Sequence, residues 1–177
     1  MIVWGGCSAP GILGDGAAYD LGTGVWVPIA TTNAPAARCV PAAVWTGAKM
    51  IVWSGLGTTE YRQDGAAYDP VTDTWTAISF ASAPASRYSA STAWTGAQMI
   101  TWSGLAYSPA TGMFTESLDG GVYDPGANVW SSMIGAQTPT RRYGGAGVWT
   151  GSSVIFWGGL SSSSGAITYL NDGGIYY

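Results

Sequence analysis

The sequence predicts an all-β fold in which four-stranded antiparallel blades pack around a β-propeller axis, and three observations point to it. The segment MIVWGG at Met1 returns as MIVWSG at Met50, MITWSG at Met99 and VIFWGG at Val154, so Trp4, Trp53, Trp102 and Trp157 stand 49, 49 and 55 residues apart. A second segment, DGAAYD at Asp15, returns at Asp64, as DGGVYD at Asp119 and as DGGIYY at Asp172. Three positions of the repeat account for all ten Trp: the segment just named, the AVWTG, TAWTG and GVWTG runs at Trp45, Trp94 and Trp149, and a lone Trp at 26, 75 and 130. Self-similarity at about 50 residues marks a repeat architecture, each unit being one supersecondary element.

Within a unit the elements follow in order. The run ending in Trp-Thr-Gly is the first strand, MIVW the second, GAAY the third, and the fourth begins at the lone Trp. Each is short, rich in aromatic and β-branched residues and bounded by turn residues, and no stretch has a helical period. Thr46-Gly47, Thr95-Gly96 and Thr150-Gly151 join the first strand to the second as hairpins. From the third to the fourth, Asp69-Pro70-Val71-Thr72-Asp73 reads as a type I turn with a bulge, and Gly24, Asp73 and Asn128 hold the place that takes a positive φ. Gly5-Gly6, Gly55, Gly104 and Gly158-Gly159 end the second strand, where a side chain would obstruct close backbone approach.

A repeated four-stranded meander buries one sheet face against the next unit, which is the propeller solution. The expected blades are approximately 1–33, 34–82, 83–137 and 138–177, with three strands in each end blade and four in each middle one. An open arc of this kind exposes interior faces and edge strands, so self-association with another copy is expected. A fragment of a longer propeller and a lone four-bladed ring are the alternatives.

Composition narrows the function classes. Only 9% of residues are charged, the net charge is -4, and the six Lys and Arg are scattered singly apart from Arg141-Arg142. The basic footprint that phosphate backbones require is missing, so nucleic acid is not an expected partner. No apolar run approaches the roughly 20 residues that cross a bilayer, so no membrane span is expected. The chain has no His, which removes Ser-His and Cys-His nucleophiles and most zinc and copper designs. No metal and no cofactor are expected.

The run Tyr68-Asp69-Pro70 to Trp75, then Pro84-Ala85-Ser86-Arg87-Tyr88, Trp94-Thr95-Gly96 and Met99-Ile100-Thr101-Trp102, resembles the Kelch repeat, most closely its bacterial form, and the likeness covers nearly the whole chain. That resemblance implies the propeller fold and a role as binding platform or enzyme scaffold. In the family pattern a His often stands three residues after the Arg, and here Pro41, Ala90 and Gly145 occupy those places. The departure puts His-dependent activities of relatives, such as a copper oxidase of the galactose oxidase kind, out of reach.

Arg38, Arg87 and Arg142 recur at one site. They read either as a ring of guanidinium groups near a channel or as structural residues bonding carbonyls of the neighbouring blade; the second is preferred, because a ligand rarely needs the same residue from every blade. The Asp residues at 15, 64, 119 and 172 read as strand-end residues, with an acidic metal ring as the alternative. The repeated Trp and Tyr are assigned to the inter-blade core rather than to sugar stacking.

Function is therefore sought where the copies differ, in the segments Cys7–Leu13, Leu56–Gln63, Leu105–Leu118 and Leu160–Asn171 between second and third strands, read as loops on one face. The candidates there are Tyr61, Arg62, Tyr107, Phe114, Glu116 and Tyr169, bordered by the three Arg, a mixture that suits protein or glycan contact. Cys7 and Cys39 are expected to meet as a disulfide, which implies an oxidising compartment, extracellular or periplasmic. These readings make the chain a non-catalytic binding or structural module. The alternative is a carbohydrate-binding module or the propeller part of a secreted carbohydrate-active enzyme. Catalysis would need two titratable groups converging in one pocket, and Glu60 and Glu116 are the only glutamates.

Overall fold

The computed structural model describes residues 1–177 except 10, 59–60, 109–110, 134–137 and 163–164. Blade 1 is a sheet of β1 (Ile2–Ser8), β2 (Gly11–Asp20) and β3 (Val25–Pro28). Blade 2 is the meander β4 (Ala42–Trp45), β5 (Met50–Trp53), β6 (Gly65–Asp69) and β7 (Thr74–Ala77). The connector strand β8 (Arg87–Tyr88) leads to blade 3, where β9 (Ser91–Trp94) and β10 (Met99–Trp102) precede a hairpin of β11 (Leu105–Ser108) and β12 (Met113–Glu116). That blade is completed by β13 (Gly120–Asp124) and β14 (Val129–Ser132). Blade 4 holds β15 (Ala146–Trp149) and β16 (Val154–Trp157), a short hairpin of β17 (Leu160–Ser161) and β18 (Thr168–Tyr169), and β19 (Gly173–Tyr176). All pairings are antiparallel. The first strands β4, β9 and β15 touch in sequence, and blade 1 packs on blade 2 through Trp4 and Ile29, which sets the four blades side by side as an incomplete propeller.

The core lies between blades. Because successive side chains of a strand point to opposite faces, Met50 and Val52 pack with Trp4 and Ile29 of blade 1, while Ile51 and Trp53 pack with Met99, Tyr123 and Trp130 of blade 3. Ile100 and Trp102 repeat the second contact against Val154 and Phe156 of blade 4. At the first two junctions a second-strand Trp meets the outer-strand Trp of the next blade, Trp4 with Trp75 and Trp53 with Trp130, both at 4.8 Å between ring centroids. Such a pair adds about 1 kcal/mol beyond the area it buries.

The turn before the outer strand does a second task. Gly24, Asp73 and Asn128 have φ of 71, 52 and 55°, the left-handed region that Asn and Asp tolerate. Asp73 Oδ1 accepts the Ala30 N–H of blade 1 at 2.8 Å, and Asn128 Oδ1 accepts the Ser79 N–H of blade 2 at 2.7 Å. The indole of Trp75 donates to the same Ala30 through its carbonyl, and that of Trp130 to Ser79. Each outer strand therefore clips the blade before it at one residue.

One expectation is corrected. The segments between second and third strands are not plain loops. In blade 1, β1 and β2 run on past Trp4 until Ser8 pairs with Gly11; in blades 3 and 4 the segments fold into β11–β12 and β17–β18. The reason is that the connectors offer them a free backbone edge: Leu105 and Ala106 pair with Tyr88 and Arg87, Leu56 bridges Cys39, and Leu160 bridges Tyr143. A second, smaller layer of ladders thus caps one face of the blades.

Candidate functional site

The capping layer rests on the three recurrent arginines. Arg38, Arg87 and Arg142 are almost fully buried. Each donates to the carbonyl two residues before it, Ala36, Ala85 or Thr140. Each also reaches two carbonyls of its own blade: Ser54 and Asp64, Ser103 and Asp119, or Gly158 and Asp172. The carboxylates of Asp64, Asp119 and Asp172 lie 3.0, 2.8 and 2.9 Å from the guanidinium groups. Burial pushes the Arg38 and Arg87 pKa values down, and Asp64 and Asp119 pull them back; both stay charged at any ordinary pH. With every Nη1 committed to carbonyls, these arginines hold each connector against the ends of its second and third strands.

Two serines, unremarked in the sequence, complete the joint. Ser54 and Ser103 follow the second-strand Trp at φ of 57 and 55° and are fully buried. Ser54 Oγ accepts the Arg87 N–H at 2.8 Å and lies 2.7 Å from the Arg87 carbonyl; Ser103 does the same with Arg142. A non-Gly residue in the left-handed region costs of order 1 kcal/mol and persists where its surroundings hold it. The only signal in the sequence is that Ser replaces the first Gly of the Gly-Gly pair in these two copies.

Above the joint stands an aromatic cluster from two blades. Tyr61 of blade 2 stacks on Tyr107 of β11 with centroids 4.3 Å apart, and meets Phe114 of β12 edge-on at 4.9 Å. Phe114 also touches Tyr107 and Tyr88. All four rings are partly exposed. Burial raises the Tyr88 pKa, with Tyr143 and Tyr61 adding to it. Arg62 lies beside them, its N–H bonded to the Gly55 carbonyl and its own carbonyl 2.6 Å from Ser54 Oγ.

Glu116 and Tyr169 fall elsewhere. Glu116 is buried and accepts both the N–H and the Oγ–H of Ser162 in blade 4. Burial by itself would raise its pKa, but the Ser162 hydrogen bonds outweigh that and hold it below the usual carboxylate range. It ties the third hairpin to the fourth. Tyr169, on β18, is 83% exposed and stands outside the cluster. Glu60 lies outside the described residues.

Cys7 and Cys39 are joined in a disulfide with Cα atoms 5.1 Å apart, linking the extension of β1 to the connector residue after Arg38. Among the described residues no three His, Cys, Asp or Glu come together as a metal site, and no helix is long and apolar enough to cross a membrane. A groove of about 570 Å³ lies between blades 1 and 2, lined by Met1, Ile2, Ala43, Val44, Trp45 and Met50; none of the candidate residues lines it.

A family model described as the KLHDC2/KLHL20/DRC7 Kelch-repeats domain matches residues 1–159. Comparison with curated proteins finds no match.

Proposed function

The chain belongs to the Kelch-repeat family, and from that premise we propose that it is a non-catalytic interaction module whose protein partner lands on the capping layer around Tyr61, Tyr107 and Phe114. Family membership supports a protein-interaction module; the aromatic cluster supports the face. Partly exposed, mutually braced aromatic rings lose little freedom on contact, and such residues dominate protein interfaces. The cluster also sits where the copies differ, apart from the Trp packing that recurs between blades. Among the described residues, Glu116 is engaged by Ser162, and Arg38, Arg87 and Arg142 by carbonyls.

Glycan contact is the second reading, favoured by Tyr169, whose exposed ring offers a stacking face that the braced cluster does not. The disulfide supports an oxidising setting, extracellular or periplasmic. The test compares wild type with Tyr61→Ala/Tyr107→Ala and with Tyr169→Ala, in partner capture and on a glycan array. Loss of a captured protein in the double variant alone, with unchanged thermal unfolding, is the expected outcome. A glycan ligand abolished by Tyr169→Ala would replace the protein reading.

A further inference from the structure

In the two middle blades the repeated Trp are not buried alike. Trp53 and Trp102 of the second strands and Trp75 and Trp130 of the fourth are buried, whereas Trp94 of the first strand β9 is half-buried. Trp94 packs against Ile51 and Ala67 of blade 2, at the end of the blades away from the capping layer. There it walls a second groove, of about 280 Å³, whose floor is Ile51 and Ala67 and whose rim includes Thr46, Lys49 and Ala97. Both blades that form this groove are complete four-stranded sheets. The rim is where this junction departs from the next. Lys49, the only Lys in the chain, stands where the following blades have Gln98 and Ser153, and its ammonium lies 3.4 Å from the Asp69 carboxylate. Thr95 and Thr150 donate their hydroxyls to the carbonyls of Gln98 and Ser153. Thr46 Oγ1 accepts the N–H groups of Ala48 and Lys49, and among the described residues its own hydroxyl proton has no acceptor.

We propose that this groove is a sugar-binding site that takes a single neutral pyranose ring. Pockets for drug-sized ligands run from about 300 to 1,000 Å³, so the groove holds one ring rather than a chain. A pyranose carries an apolar face of C–H groups, which suits the face of an indole. It also carries an edge of hydroxyls, each of which both donates and accepts. The rim meets that edge with both kinds of partner: Lys49 and Thr46 donate, and Asp69 accepts. Asp69 already balances the charge of Lys49, so an anionic ring would have to approach the Asp69 carboxylate to reach the ammonium; that penalty selects an uncharged ligand. The groove stands apart from the capping layer and from Tyr169, so it is independent of the protein-contact reading.

The test titrates the 177-residue protein with methyl glucoside, methyl galactoside, methyl mannoside and glucuronate, read by saturation-transfer NMR and tryptophan fluorescence. A saturable response to at least one neutral sugar is expected, with transfer strongest at the ring C–H protons. Lys49→Gln, which copies the next blade, should weaken that response about tenfold, the loss of one charged hydrogen bond. Trp94→Ala should weaken it by about as much, the loss of the stacked face, and Tyr169→Ala should leave it unchanged. Should Trp94→Ala not fold, Ala97→Tyr, at an exposed position of the rim, fills the groove and should remove binding with circular dichroism unchanged. No response to any neutral sugar overturns the inference, as does a response that only glucuronate gives or one that survives both Lys49→Gln and Ala97→Tyr. A response lost in Tyr169→Ala and kept in Lys49→Gln overturns it too, and places the sugar on the capping layer instead.

Discussion

At the junction of blades 2 and 3, Ser54 sits at φ 57° with its hydroxyl holding both the N–H and the carbonyl of Arg87; at the junction of blades 1 and 2 the same position is Gly5, which has no hydroxyl to offer Arg38. The backbone bond is common to both, Gly55 N–H to the Arg87 carbonyl and Gly6 N–H to that of Arg38, each at 2.9 Å. What the first junction has instead is the Cys7–Cys39 disulfide, at positions that hold Leu56 and Tyr88 in the next copy. The architecture demands that each connector be pinned to the preceding blade, but not by any one chemistry. A hydroxyl serves at the junctions of blades 2 and 3 and of blades 3 and 4, and a covalent link serves at the junction of blades 1 and 2.

The largest test strikes what the two junctions share. Arg87→Ala removes a guanidinium serving the carbonyls of Ala85, Ser103 and Asp119. The expected loss is about 4 kcal/mol in urea unfolding, from orphaned acceptors and a cavity rather than from the solvent-screened Asp119 charge. Arg38→Ala should cost about as much. A large gap between the two would break the idea of one shared joint.

The disulfide comes next. It closes a loop with a sequence separation of 32, for which chain entropy gives about 3.7 kcal/mol. Reductant, or Cys7→Ser with Cys39→Ser, should lower the unfolding midpoint accordingly, while intact protein takes up no thiol label.

The serine pins are smaller and carry an internal control. Ser54→Ala keeps the strained φ and loses the hydroxyl, with an expected cost of about 2 kcal/mol. Ser54→Gly loses the same bonds but relieves the strain, so it should cost about 1 kcal/mol less. The reverse change, Gly5→Ser, installs no pin, because a Cβ there would lie 2.6 Å from the Arg38 carbonyl oxygen. If Ser54→Ala and Ser54→Gly unfold alike, the left-handed strain assigned to Ser54 is absent.

The blades were legible in the sequence because their packing demands recur: Trp53 and Trp102 see the same kind of neighbour, so the same residue returns. Arg87 and Asp119 were legible as a pattern, but the carbonyls that the arginines bond belong to their own blade, not to the neighbouring blade as expected, because each connector folds back on the blade it leads into. Ser54 and Ser103 were not, since Ser beside Gly reads as turn chemistry and nothing local announces a bond to a residue 33 or 39 positions away. The hairpins were missed for a related reason: β11 draws its second partner from the connector, which no periodicity within Leu105–Leu118 reveals. Of the candidate face, its existence was readable from unequal loop lengths, but not which aromatics meet. The stacking of Tyr61 on Tyr107 joins two blades, and the separation of Glu116 and Tyr169 from them depends on folds of loops that share no repeat.

The smallest effect distinguishes the two junctions by charge. Blade 2 clips blade 1 with a carboxylate, Asp73, whereas blade 3 clips blade 2 with an amide, Asn128. The hydroxyl of Tyr68 and the Ala30 N–H, both donating to Asp73, hold its pKa below the usual value. A depressed carboxylate contributes stability that is present above the unfolded pKa, near 4, and lost as pH falls through the folded value; the first junction should therefore weaken in acid and the second should not. At the other extreme, burial and the bond to Asp73 push the Tyr68 pKa up to about 12, and burial and Asp124 push Tyr123 to about 12. A raised tyrosine pKa contributes stability in full below the unfolded value near 10 and loses it as pH rises through the folded one, so both junctions weaken together in alkali. Asp73→Asn, which copies the second junction into the first, is expected to leave the urea midpoint at pH 7 nearly unchanged and to flatten the loss below pH 4 that wild type shows. An acid limb of equal slope in wild type and Asp73→Asn would show that the two clips do not differ by charge in any way that matters to stability.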